Sequence, residues 1–143
     1  MTEDEHTPLI IDKVSSLLAY LLELKENGKF QEAIDLIDET LQDYFDFDNH
    51  YANLISEEFI KEVAKDSHKL PPEVISQIGD LLNEKGELLY SQNKLQESKD
   101  ILKNALTIYF YLNDSQDIFS FERMNKMVLI NDRLSHIDLE ISR

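Results

Sequence analysis

The residues best suited to chemistry by type and spacing lie in the polar-aromatic stretch Asp46-Phe47-Asp48-Asn49-His50-Tyr51, followed by Glu57. Counted from Asp46, acidic side chains fall at the first, third and twelfth places, the spacing of a calcium-binding loop. Such a loop needs glycine at its sixth place to turn sharply, and Tyr51 stands there instead. His50 is also a poor ligand for a hard cation. A solvated connector is therefore the expected role. The same neighbourhood, Asp43, Asp46, Asp48 and His50, is the only cluster worth weighing as a metal-assisted or acid–base enzyme.

Other catalytic arrangements find less support. The four histidines, His6, His50, His68 and His136, include no pair spaced for a zinc-binding helix face and no HExxH motif. His68, near the end of an expected helix, suits the negative pole of the helix dipole. No serine sits in a Gly-x-Ser-x-Gly elbow. Gly28, Gly79 and Gly86 are too far apart to form a phosphate-cradling loop. With no cysteine, disulfides and thiolate chemistry are excluded. The chain is expected not to be an enzyme and to hold no cofactor or metal.

Charge narrows the partners. With 29 acidic against 14 basic side chains, the formal charge is −15, and no Lys/Arg cluster offers a nucleic-acid footprint. The acidity reads first as a solvated outer face, and more sharply as an attraction for a basic partner. The start, Met1-Thr2-Glu3-Asp4-Glu5-His6, has the wrong charge for a secretory signal. No apolar run reaches the length of a membrane span. No nucleic acid and no membrane are expected as partners, and the cytoplasm is the expected compartment.

These residues must be carried by helices. Three glycines and three prolines in 143 residues are too few for the turns of an all-β fold. Residues 1–7 read as an acidic, mobile tail, and 8–143 as one domain. Thr7-Pro8 has the form of a helix start. Ile10, Val14, Leu17, Leu18, Leu21 and Leu24 then follow at helical spacing, with Ile11, Tyr20 and Leu22 widening the stripe. Asn27-Gly28 ends this helix. A second is expected from about Phe30 to Tyr44, a third over about 56–69 and a fourth from Pro72. The fourth should bury Ile75, Ile78, Leu81, Leu82 and Leu89. A fifth is expected over about Lys94 to Tyr111, before a break at Asn113-Asp114-Ser115. A capping helix over about 115–138 should turn Ile118, Phe121, Met124, Val128 and Leu134 inward.

The chain also repeats itself. The stretch from Gly28 to Ile37, GKFQEAIDLI, aligns without gaps on Asn93 to Leu102, NKLQESKDIL. Gly28 and Asn93 tolerate the positive φ of a tight turn, and the small Ala33 and Ser98 permit close helix crossing. Here the chain resembles the tetratricopeptide repeat. Gly86, Leu89, Ser98, Leu102 and Ala105 stand at that family's small and apolar positions, whereas the first copy has Leu21 in place of the close-packing glycine and Phe45 in place of the terminal proline. The resemblance implies an all-α, right-handed helical array of about six helices. It would comprise two hairpin repeats, about 10–45 and 73–112, an intervening helix and a C-terminal cap. From about Ile10 to Leu112 the layout is also similar to a bacterial family of unknown function, which implies no activity.

Tetratricopeptide-like grooves hold peptides, and the matching positions here are Leu18, Leu22 and Lys25 in the first copy and Asn83, Glu87 and Tyr90 in the second. Only Lys25 and Asn83 suit a terminal carboxylate, while Leu18 and Leu22 describe an apolar wall. The expected function is a non-catalytic protein–protein interaction or scaffold module, binding a protein or peptide and self-association being one form of it. A small-ligand or peptide sensor using the groove is the first alternative, and the metal-assisted enzyme the second.

Overall fold

The computed structural model describes residues 3–45, 71–115 and 120–143, which form five helices and no strand. They are α1 (Glu3–Glu26), α2 (Phe30–Phe45), α3 (Pro72–Ser91), α4 (Leu95–Ser115) and α5 (Phe121–Ile141). The expected third helix, Ile118 and the residues Asp46, Asp48, His50 and Glu57 lie outside the described residues.

Two pairs of helices, α1 with α2 and α3 with α4, are closed by the same turn. Gly28 has φ 72° and Asn93 φ 62°, the left-handed backbone that ends a helix. In the first turn Gly28 N–H donates to Lys25 O at 3.0 Å and Lys29 N–H to Leu24 O at 2.9 Å. In the second, Asn93 N–H donates to Tyr90 O at 2.9 Å and Lys94 N–H to Leu89 O at 3.0 Å. Each pair of bonds satisfies carbonyls that a helix end leaves open. The likeness continues into the next helix. Gln31 donates to Asp35 at 2.9 Å and Gln96 to Asp100 at 3.1 Å, so the repeated polar residues perform repeated work.

A Cβ at Gly28 would meet nothing within 4 Å, so any cost of Gly28→Ala comes from the backbone alone. The expected loss is about 1 kcal/mol, and Asn93→Gly should stabilise by somewhat less, both read from urea midpoints.

The interior is built around α3. Its residues Ile75, Ile78, Leu81, Leu82 and Leu89 are buried as the spacing predicts, and Leu88 is buried as well. This helix packs against α1, α2 and α4, which leaves it little exposed surface. Two of its buried polar residues reach neighbouring helices. Gln77 donates to Ile11 O at 3.0 Å and Ser15 Oγ at 3.3 Å, and Lys85 pairs with Asp38 at 2.7 Å. Ala33 and Ser98 are fully buried, and Ser98 Oγ donates to Gly86 O at 2.7 Å.

Three expectations about the helices need correction. Helix α1 begins at Glu3, inside the stretch read as a tail, and carries Pro8 within it. Proline removes one amide donor, a loss that a long helix absorbs most easily near its start. Helix α4 runs through Asn113-Asp114 to Ser115 instead of stopping before them. The Asn113 side chain does not turn the local backbone. Its Oδ1 accepts from Arg123 Nε at 2.6 Å, and its amide group faces Met127 Sδ at 3.3 Å. The start of α5 is capped at Ser120, whose Oγ accepts from Arg123 N–H at 3.1 Å.

The inward face of α5 is the third correction. Phe121 and Val128, expected inside, are 77% and 62% exposed. Arg123, Met127, Ile130 and Ile137 are buried in their place, while Met124 and Leu134 are half-buried. The bond between Arg123 and Asn113, with another between Lys126 and Asp80, fixes this rotation of the helix.

Candidate interaction surfaces

The six positions matched to a groove divide between two helices and are engaged differently. Leu18 is half-buried and packs on the core, whereas Leu22, one turn further along α1, is 57% exposed. Lys25 reaches across to α3 and pairs with Glu84 at 3.1 Å. On α3, Asn83 is half-buried. Glu87 pairs with Arg133 of α5 at 3.0 Å, and the Tyr90 hydroxyl donates to Glu140 of α5 at 2.7 Å. The Arg133 guanidinium also lies 4.0 Å above the Tyr90 ring. Thus α5 is seated against Glu87 and Tyr90, and the cation expected to meet a carboxylate meets one within the chain.

A second polar set fastens the same helix deeper in. Asp80 of α3 accepts from the Tyr109 hydroxyl of α4 at 2.5 Å and from Lys126 of α5 at 2.8 Å. Lys126 also reaches Glu122 at 3.3 Å, and Lys99 of α4 pairs with Asp138 of α5 at 2.8 Å. Burial pushes the Tyr109 hydroxyl far above the usual tyrosine range, and the neighbouring Asp80 carboxylate adds to the effect. A phenol held neutral in this way is a hydrogen-bond donor, not an acid or a nucleophile. The arrangement positions three helices.

These groups make the seating of α5 sensitive to alkali. The hydrogen bond to Glu140 raises Tyr90 above its ordinary 10.0. Burial pulls Lys126 down, but its bonds to Asp80 and Glu122 outweigh this and raise it above 10.5. Groups raised in the folded state contribute stability that is complete below their unfolded pKa and lost as pH rises through the folded one. Melting temperature should therefore hold steady up to about pH 9 and fall above pH 10, checked by thermal unfolding between pH 7 and 11.

Two open clefts accompany these contacts. One, of about 440 Å³, lies between α1 and α2, where the Lys13 ammonium stands 5.7 Å from the Tyr44 ring. The other, of about 310 Å³, opens beside the Asp38–Lys85 pair and Leu89. Neither is lined by any of the six groove positions. Among the described residues no group of three or more His, Asp or Glu side chains is arranged to hold a metal ion. No described helix is long and apolar enough to cross a membrane.

The outward side of α5 is not among the surfaces that the sequence marks. Val128, Leu129 and Leu139 are exposed there, against a helix whose other side is buried. The signal was available in the apolar residues spaced all round this segment, more than one buried face can absorb. Glu84, Arg133 and Glu140 were also missed, since nothing local marks a charge whose partner is dozens of residues away. Set beside protein-family models, curated proteins and solved structures, the chain matches none.

Proposed function

We propose that the chain is a non-catalytic, tetratricopeptide-like module for protein–protein interaction. The observation that carries this reading is the pair of hairpins closed by the same turn at Gly28 and Asn93, each followed by a buried small residue, Ala33 or Ser98. Stacked helical hairpins of this kind present extended surfaces and bind through them. Chemistry finds little to work with. Among the described residues the most perturbed group, Tyr109, is a buried structural donor, and its carboxylate partner is shared with Lys126. A sensor using the six groove positions is disfavoured because Lys25, Glu87 and Tyr90 are occupied by partners within the fold.

The test is native capture from the protein's own cells, followed by titration of the recovered partner with purified chain in a calorimeter. Saturable binding with a negative heat-capacity change is expected, since apolar surface is buried. Capture that yields nothing above a helical control protein, or a purified chain that turns over a substrate, would overturn the reading.

A further inference from the structure

We infer that Asn27 is a site of spontaneous covalent modification, converting through a succinimide to aspartate and isoaspartate when the last turn of α1 opens. It is the one asparagine in the sequence followed by glycine. Glycine has no side chain to obstruct the approach of its own nitrogen to the preceding residue. Both residues are exposed, and apart from its chain neighbours a Cβ on Gly28 would meet nothing within 4 Å. No other group covers the turn. While it is closed, the reacting groups are tied elsewhere. Gly28 N–H donates to Lys25 O at 3.0 Å, and the Asn27 side-chain amide donates to Glu23 O at 3.0 Å. The duplicate turn supplies an internal comparison. Asn93 is exposed there too, and Lys94 N–H donates to Leu89 O at 3.0 Å, but this successor carries a long side chain.

Water is the only other reactant. Once released from Lys25 O, the Gly28 nitrogen gives its proton to solvent base and attacks Cγ of Asn27. The new N–Cγ bond closes the succinimide, and the bond from Cγ to the side-chain nitrogen breaks, releasing ammonia. Water then adds to one of the two ring carbonyls. Cleavage at Cγ leaves aspartate. Cleavage at the main-chain carbonyl leaves isoaspartate, with the chain now running through Cβ. Nothing is oxidised or reduced, since an amide and water become a carboxylate and ammonium.

Conversion undoes the turn that allowed it. Isoaspartate adds a carbon to the main chain where Gly28 and Lys29 must reach the carbonyls of Lys25 and Leu24. Either product also places a carboxylate near Glu23 and Glu26, at the helix end where the macrodipole disfavours negative charge. Lys25, the basic residue of that last turn, is already paired with Glu84. Before conversion, the bonds from Gly28 and Lys29 hold the turn shut, which slows the reaction roughly 10–100-fold relative to the open chain.

The full chain, held at mildly alkaline pH either folded or unfolded in urea, tests this by peptide mapping with mass spectrometry. In urea, Asn27 is expected to convert well ahead of Asn93. In the folded chain its conversion should be roughly 10–100-fold slower. Leu24 is buried at the end of α1, so Leu24→Ala loosens that end while leaving the Asn27–Gly28 pair intact. This variant should recover part of the lost rate, and Asn27→Gln should suppress conversion at position 27 in every condition. The converted chain, separated by its extra negative charge, should melt at a lower temperature than the unconverted one. Asn93 converting as fast as Asn27 in urea overturns the site. Equal folded and unfolded rates at Asn27, or a Leu24→Ala rate no higher than wild type, overturn the gating by the turn. Unchanged melting of the converted chain overturns the claim that conversion undoes it.

Discussion

Tyr109→Ala is expected to lose about 3–5 kcal/mol of stability, the largest effect of any single substitution considered for this fold. The ring is fully buried and lies against the bare backbone of Gly79, where an added Cβ would come within 2.9 Å of Tyr109 Cε1. Deleting it leaves a hole between α3 and α4 beside Gly79 and the fully buried Ile108. The substitution also strips Asp80 of one of its two donors, leaving Lys126 to hold the carboxylate alone. Tyr109→Phe separates the two contributions. It keeps the packing and removes only the hydroxyl, at an expected cost of about 1.5 kcal/mol, since the acceptor is charged but retains a partner. Against a total stability of about 5–15 kcal/mol, the alanine variant should be partly unfolded under mild conditions. Urea denaturation followed by circular dichroism checks both values. A loss under about 1 kcal/mol for the alanine variant would mean that the ring does not support the α3–α4 contact.

The second large effect is expected from crowding. At Gly86 an added Cβ would lie 2.4 Å from Leu102 Cδ2 and 2.5 Å from its Cγ, well inside contact distance. Leu102 is fully buried, so it has nowhere to retreat. Overpacking of this kind costs about 1–3 kcal/mol, while alanine's better helix propensity returns about 1 kcal/mol. Gly86→Ala should therefore lose up to about 2 kcal/mol, and Gly86→Leu considerably more. Leu102→Ala alone should cost about 2–5 kcal/mol, but combined with Gly86→Ala its effect should fall short of additivity by at least 1 kcal/mol. That coupling, measured in a double-mutant cycle, reports the close approach of α3 and α4 directly. Additive losses would show that the two positions do not touch. The matching place in the first hairpin holds Leu21, fully buried, so α1 and α2 are spaced by a side chain where α3 and α4 meet over bare backbone.

Much of the architecture was legible because its determinants are local. The positive φ at Gly28 and Asn93, the burial of Ala33 and Ser98, and the inward residues of α3 all depend on a few neighbouring positions. Local rules read such features well. The failures share the opposite cause. Asn113 looked like a helix breaker until its side chain was seen bonded to Arg123, and the rotation of α5 follows from that bond and from Asp80. An arginine at the head of the buried face is invisible to a pattern that counts apolar residues, which is why Phe121 and Val128 were expected inside. Gln77 and Lys85 are buried for the same kind of reason, through acceptors on α1 and α2. The six groove positions fell where helix register put them, but whether a partner inside the molecule already held them depended on Glu84, Arg133 and Glu140. No spacing rule supplies those.

The duplicated turn bears on how the chain reaches its native state. Every bond that closes it links residues no more than five apart, as in Lys29 to Leu24 and Lys94 to Leu89. Closing so short a loop sacrifices little chain entropy, so each hairpin has an early, inexpensive nucleus of its own. The fold thus holds two local nuclei, and the second, where α3 meets α4 most closely, also carries the side chains that hold α5.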